Sequence, residues 1–312
     1  MRALLIVNPH ATTTTPAGRD RLAHALGGSV ALTVAHTTHR GHAAELARSA
    51  HADGMDVIVA HGGDGTVNEI VNGLLGSPGD PADPTLPLLA VVPGGSANVF
   101  ARSLGMSADP MEATEQLLGL LAERTHRRIG LGHCAGRWFV FNAGLGLDAQ
   151  VCEAIDVSRA AGKKVTTARY VRHAIAQFFA SKRAEPALTV EMPGRDPVSG
   201  VFYAFVSNSS PWTFLDERPV HTNPGTSFET GLGVFAMRTM SVLPSLRVIR
   251  QFLARQGDPR SKHLVRADDV ERVRVVSSRP IGLQADGDYL GRRTEVEFVS
   301  VPAILDVVAP VG

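Results

Sequence analysis

The chain has 312 residues, enough for two ordinary domains, and its 44% apolar and 20% charged composition supports a sizeable core, which excludes disordered and fibrous classes. With 31 Lys and Arg against 30 Asp and Glu the formal charge is +1, so a nucleic-acid binder working through global positive charge is excluded as well. Cys134 and Cys152 are too far apart for a paired motif and too few for a disulfide framework or a structural zinc site, which favours a reducing, cytoplasmic home.

The apolar opening at residues 3–7 stops at Asn8-Pro9, too short a run for a signal peptide, and no later run approaches the length of a spanning helix. Along the first hundred residues strand and helix patterns alternate. Residues 3–7, 29–35, 56–60 and 86–92 read as strands; 17–26, 43–52, 67–75 and 99–104 read as helices. That rhythm predicts a doubly wound parallel sheet with right-handed crossovers. From about residue 126 short strand candidates crowd together at 138–141, 188–192, 201–207, 233–237, 270–276, 281–284 and 296–301. Helical stretches at 167–180 and 245–256 interrupt them. The expectation is therefore an α/β domain over 1–125 and a mainly antiparallel β-sandwich domain over 126–312, whose C-terminal end could return to the first domain.

The strongest local signal is His61-Gly62-Gly63-Asp64-Gly65-Thr66-Val67-Asn68-Glu69, directly after a predicted strand and at the start of a predicted helix. Thr66 and Glu69 have capping-box spacing, and Val67, Ile70, Val71 and Leu74 mark one helix face. The glycines allow close approach of a ligand, and the free N–H groups of a helix start favour an anion. Pro93-Gly94-Gly95-Ser96-Ala97-Asn98 follows a second strand and Asn8-Pro9 a third. Ligands of open parallel sheets bind beyond the carboxyl ends of the strands, so the three loops together predict a phosphate or nucleotide site.

These blocks, in order, resemble the diacylglycerol kinase and sphingosine kinase family of lipid kinases. The carriers are Gly62-Gly63-Asp64-Gly65-Thr66 with Asn68-Glu69 and Asn72-Gly73, then Gly94-Gly95-Ser96-Ala97-Asn98 with Phe100-Ala101-Arg102, then the run from Phe141 through Asn142-Ala143-Gly144 to Ala149, and finally Ala285-Asp286-Gly287-Asp288. The first block alone would also fit phosphofructokinases and NAD kinases. The resemblance implies an N-terminal nucleotide-binding domain, a β-rich lipid-substrate domain, a cleft between them, and ATP and Mg²⁺ as cosubstrates. It implies that Asn8, Pro9, Thr37, Gly62, Gly63, Gly65, Thr66, Asn68, Gly94, Gly95 and Ser96 hold the nucleotide. Read without the resemblance, Thr37 is a loop-to-helix capping residue. No metal-ligand set is read from the sequence.

Phosphoryl transfer needs charge neutralisation, an in-line hydroxyl and a group to take its proton. Asp64, Asp286 and Asp288 are acidic residues among glycines and are the catalytic candidates. Pattern alone reads Asp286-Gly287 as a type I′ hairpin turn; the resemblance assigns the proton acceptor to the position of Asp288, with Asp64 as rival base or metal orienter. Val99 and Gly130 stand where many relatives carry Asp, and Asp288 where they carry Glu. Thr230-Gly231-Leu232 lacks the Asp-Gly that some relatives use for an extra metal.

The resemblance also implies a lipid substrate at a membrane surface, reached from the cytoplasm by peripheral contact with the inner membrane, with no nucleic-acid partner and a homodimer left open. Six basic residues between Lys163 and Arg183, with no acidic one, make a candidate docking segment or an ordinary surface helix. Trp212 and Phe214 could line an acyl-chain entrance or pack a loop on the core. His10, His36, His39 and His42 have no metal spacing. The expectation is an ATP-dependent lipid kinase with diacylglycerol as preferred acceptor; the alternatives are a noncatalytic lipid or nucleotide sensor and a NAD kinase-like enzyme.

Overall fold

The computed structural model describes residues 1–80, 83–160, 185–254 and 257–311. The predicted helix at 167–180 and the basic segment up to Arg183 lie outside the described residues. The chain divides into two compact units, Met1–Leu131 with Pro302–Gly312, and Gly132–Val301.

In the first unit four parallel strands, β1 (Arg2–Val7), β2 (Ala31–His36), β3 (Val57–Gly62) and β4 (Leu88–Pro93), stand in the order β4, β3, β1, β2. Every residue of β3 is buried and all but the first of β1, because these apolar runs are covered on both faces; β2, at the edge, is mostly exposed. The helices are α1 (Pro16–Gly27), α2 (His42–Ala52), α3 (Asp64–Leu75), α4 (Val99–Ser103) and α5 (Pro110–Glu123), with α2 packed on α3 and α1 on α5. No counterpart to α5 stands among the expected elements, although Asp109 announces it: its carboxylate accepts the N–H groups of Met111 and Glu112, and Pro110 occupies the first helical position.

The second unit is antiparallel. Its main order runs β14 (Leu264–Val270), β13 (Leu232–Met237), β10 (Tyr203–Ser207), β7 (Asn142–Leu145), β15 (Arg272–Ala285), β16 (Asp288–Val307). The long β15 changes neighbours: residues 274–277 pair with β8 (Leu188–Glu191), which carries β9 (Val198–Val201), and residues 283–285 pair with β7. The register shift between Val276 and Ile281 bends the strand so that its two halves serve two layers. Between the layers lies a core of small and branched side chains from β7, β8, β10, β13, β15 and β16, closed by Phe139 and Phe298. The predicted strand at 138–141 is realised only in part, as β6 (Arg137–Phe139), which pairs with β5 (Arg127–Cys134); Val140 and Phe141 lie outside any strand and β7 follows them. β11 (Thr213–Leu215) and β12 (Arg218–Val220) form a separate ribbon, and the helices of this unit are α6 (Leu147–Ala160) and α7 (Val242–Phe252).

The chain enters the second unit within β5 and leaves it within β16. The last residues of β16 return to the first unit, where Val307 lies parallel to Leu89 and the Val308 N–H bonds the Leu89 carbonyl at 2.9 Å. Leu305, Val307, Val308 and Ala309 are all buried.

Candidate active site

Four loops gather at the carboxyl ends of β1 to β4. The loop after β1 is tied to β3 by the Asn8 N–H on the His61 carbonyl (3.0 Å), and the Asn8 amide donates to the Thr66 hydroxyl (3.1 Å). The Thr13 N–H bonds the Gly94 carbonyl (2.9 Å), and the Gly94 N–H bonds the Gly62 carbonyl (2.8 Å). The two glycine loops cross at van der Waals contact. A Cβ on Gly95 would come 2.6 Å from the Gly63 Cα, and one on Gly94 would come 3.0 Å from the Gly62 Cα. Glycine is therefore demanded here by the close approach of two backbones.

The second loop is held in shape by Asn98, whose side chain accepts the Gly95 N–H (2.8 Å) and donates to the Gly95 carbonyl (2.9 Å), with its own backbone left-handed at φ 48°. Asn98 precedes α4 but makes no side-chain cap to it. That cap comes from Asp64, whose Oδ1 accepts the Phe100 N–H at 3.0 Å. Burial pushes the Asp64 carboxyl above its ordinary range, against the pull of the Phe100 and Val99 N–H groups, its own N–H and the Arg102 charge. Val99 is buried at the first position of α4. His61 is buried beneath the loop, which lowers its pKa despite a contact of Nδ1 with the Val92 carbonyl.

The capping box expected from Thr66 and Glu69 does not form. α3 starts at Asp64, with Gly63 as its N-cap, so Thr66 falls in the first turn and bonds Asn8, while Glu69 projects to the neighbouring helix. There its two oxygens accept the N–H groups of Gly41 (2.8 Å) and Ala43 (3.2 Å) and cap α2, whose own N-cap is Gly41 with φ 88°. Glu69 thus fixes the fourth loop, 37–41, to the helix that begins in the first glycine loop. Thr37 lies in that fourth loop, buried, with its N–H on the Val7 carbonyl.

Of the residues expected to face a ligand, Asn8, Pro9, Gly62, Gly63, Gly65, Thr66, Gly94, Gly95 and Ser96 meet in this one place, Gly65 and Ser96 being exposed at its surface. Asn68 is instead fully buried inside α3, where its Oδ1 accepts from the Asn72 amide (3.2 Å). Two features fit an anion. At the start of α3 the Thr66 N–H is the first to bond back, to the Gly63 carbonyl at 2.9 Å, so the N–H groups before it have no intrahelical carbonyl to bond. The Thr14 hydroxyl, buried against Gly94, lacks a partner among the described residues.

In the second unit Asp286 and Gly287 form the two-residue turn between β15 and β16, both with positive φ (48° and 81°), as the Asp-Gly pattern predicts. Asp286 is buried, and its carboxylate accepts the N–H groups of Val140 (2.6 Å), Phe141 (3.0 Å) and Asn142 (3.1 Å). It fixes the start of β7 to the turn. Asp288, partly exposed, meets the Arg137 guanidinium at 2.6 Å. Nearby Cys134 is buried, and its thiol is pushed up to about 12, so it is no nucleophile at neutral pH. Trp212 stacks on Phe205 at 5.1 Å between centroids, within a cluster of Tyr203, Phe235, Met237 and Met240, so it packs its loop on the core. Among the described residues no group of three His, Cys, Asp or Glu side chains is placed to hold a metal, and no helix is long and apolar enough to cross a membrane.

Residues 2–134 match the family model of the diacylglycerol kinase catalytic domain. Over 120 residues the chain is 38% identical to a probable YegS-like lipid kinase of Chromohalobacter salexigens, covering 38% of this chain and 36% of that one. Over 111 residues it is 38% identical to a diacylglycerol kinase of Bacillus subtilis, covering 35% and 33%. The matched stretch is thus about a third of the length of these curated relatives. A solved structure of a putative diacylglycerol kinase from Bacillus anthracis shares the fold over 99% of this chain and 97% of its own, with a TM-score of 0.76 at 18% identity.

Proposed function

We propose that this chain, which carries a diacylglycerol kinase catalytic domain over residues 2–134, is an ATP-dependent lipid kinase that transfers the terminal phosphoryl group to a lipid hydroxyl, with diacylglycerol as acceptor. One observation carries the reading beyond the likeness of sequence: the two glycine loops cross in backbone contact at the start of α3, beside the Thr14 hydroxyl. That is a cradle for phosphate oxygens.

In this reading the glycine loops and the first turn of α3 take the phosphates, Asn8 and Thr66 brace the loop, and Ser96 and Thr37 lie against the rest of the nucleotide. Mg²⁺, when bound, supplies charge neutralisation on the phosphate oxygens; a metal held mainly through phosphates needs few protein carboxylates. Asp64 lies in the glycine loop itself and orients that charge. Asp288 is the proton acceptor for the lipid hydroxyl, with Arg137 holding its side chain in place and Asp286 holding the turn that presents it. The residues of the second unit supply the lipid side of the reaction.

The test is incubation with radiolabelled ATP, Mg²⁺ and a lipid panel, with the product identified by mass spectrometry. Phosphatidic acid is expected, and Asp64→Asn and Asp288→Asn should each lower turnover by about a hundredfold or more, the scale of a lost proton-transfer or charge-orienting group. Nucleotide binding without any phospholipid product would identify a sensor instead, and full activity of both variants would overturn the assignment of roles.

A further inference from the structure

Helix α7 carries an apolar face that the fold does not use. Its inner side is built into the second unit: Ser245 and Val248 are buried, and Phe252 meets Phe235 edge-on at 5.2 Å. The outer side shows Leu243 at 80% exposure, Leu246 at 55% and Ile249 at 43%. Three of the nine large apolar residues exposed among the described residues thus lie on this one helix, three residues apart, while the other six are scattered over other segments. A spacing of three turns each side chain about sixty degrees from the last, so the three cover one continuous arc. Arg250 falls within that arc and Arg247 at its edge, both exposed.

On the helix itself the charge is of one sign: from residue 241 to residue 253 the sequence holds Arg247 and Arg250 and not one Asp or Glu. The nearest carboxylate after it along the chain, Asp258, is taken up by Arg260 and Arg266. A protein partner of ordinary mixed charge does not call for that bias, whereas a sheet of phosphodiesters does. Leucines enter the boundary between headgroups and acyl chains, and arginines extend their stems over the apolar surface and place the guanidinium on phosphate oxygens. We infer that the outer face of α7 is a docking surface for a lipid bilayer rich in anionic phospholipid, with Leu243, Leu246 and Ile249 inserted and Arg247 and Arg250 on the headgroups. The inference stands on the exposed arc and its charge, and it is read without turnover, so its failure is separate from any failure of the kinase reading.

The experiment is flotation of the full chain with vesicles of phosphatidylcholine alone and of phosphatidylcholine with an equal part of phosphatidylglycerol. The chain should float with the mixed vesicles and far less with the neutral ones. Leu243→Ser with Leu246→Ser should weaken binding by about tenfold or more, since two apolar side chains lose their burial. Arg247→Gln with Arg250→Gln should weaken it by about fivefold per arginine and abolish the preference for phosphatidylglycerol and the loss of binding in high salt. Because these side chains are exposed, melting temperatures should stay level. As a check that needs no loss of binding, Leu246→Trp should show a blue-shifted emission on mixed vesicles. A parent chain that stays in the aqueous fraction, variant pairs that float like the parent, or an unshifted tryptophan would each overturn the inference. So would self-association that Leu243→Ser with Leu246→Ser abolishes while flotation persists, since the face would then join two copies of the chain.

Discussion

At Asp64 one carboxylate serves two helix starts, lying in the first turn of α3 and capping α4 through Phe100. Its pKa is raised because burial outweighs the N–H groups and Arg102. A carboxyl with a raised folded pKa contributes its full stability only below its unfolded value, about 3.9, and loses it as pH rises through the folded value. The ionised form at neutral pH is therefore a cost to the fold. Asp64→Asn should melt no lower than the parent at neutral pH, and the parent should gain on the variant as pH falls through the folded pKa, as calorimetry across that range would show. Loss of turnover without loss of stability marks a residue kept for chemistry. Glu69 is the opposite case. Its carboxylate caps α2 from another helix, so Glu69→Ala should cost about 1–2 kcal/mol in urea unfolding, the scale of a lost cap at a helix start, and Glu69→Gln less. The Thr-x-x-Glu spacing is legible in the sequence, yet spacing cannot show that α3 begins three residues early, and that offset turns Glu69 away from its own helix start and toward Gly41.

At the scale of elements, α2 and α3 touch where Gly73 faces Ala44. A Cβ on Gly73 would run into the Ala44 carbonyl oxygen and lie 2.8 Å from the Ala44 Cα. Gly73→Ala brings a helix-propensity gain of about 1 kcal/mol and an overpacking cost of about 1–3 kcal/mol. The contact is with backbone, which cannot turn aside as a side chain can, so the cost wins and the melting temperature should fall. The strands β1, β3 and β4 are legible because unbroken apolar runs mean burial on both faces. β7 is not: Asn142, Ala143 and Gly144 have little strand propensity, and pairing with β10 and β15 makes the strand. The glycine loops are legible as a phosphate cradle, but their crossing is a tertiary fact that no local pattern carries.

For the whole molecule, the parallel and antiparallel halves follow from the rhythm of the sequence, whereas the point at which the C-terminal strand makes its return to the first domain has no local mark. The apolar run at 296–301 continues past Pro302 into Leu305, Val307 and Val308 with no break in pattern, although Ala303 has a left-handed backbone and the neighbours change from β15 to β4. Leu305 is 1% exposed in the first unit. Leu305→Ala should therefore cost about 2–5 kcal/mol, read as a lower urea midpoint for a spectroscopic probe placed in the first unit.

That return also orders events during synthesis. Residues 305–309, which finish the core of the N-terminal unit, leave the ribosome only after every residue of the unit 132–301 has been made. The usual sequence, in which the N-terminal domain matures first, is thus reversed for completion. The glycine loops wait on β4, a strand with an open flank, until residues 305–309 have been made, and for that interval the N-terminal unit carries an unpaired strand edge.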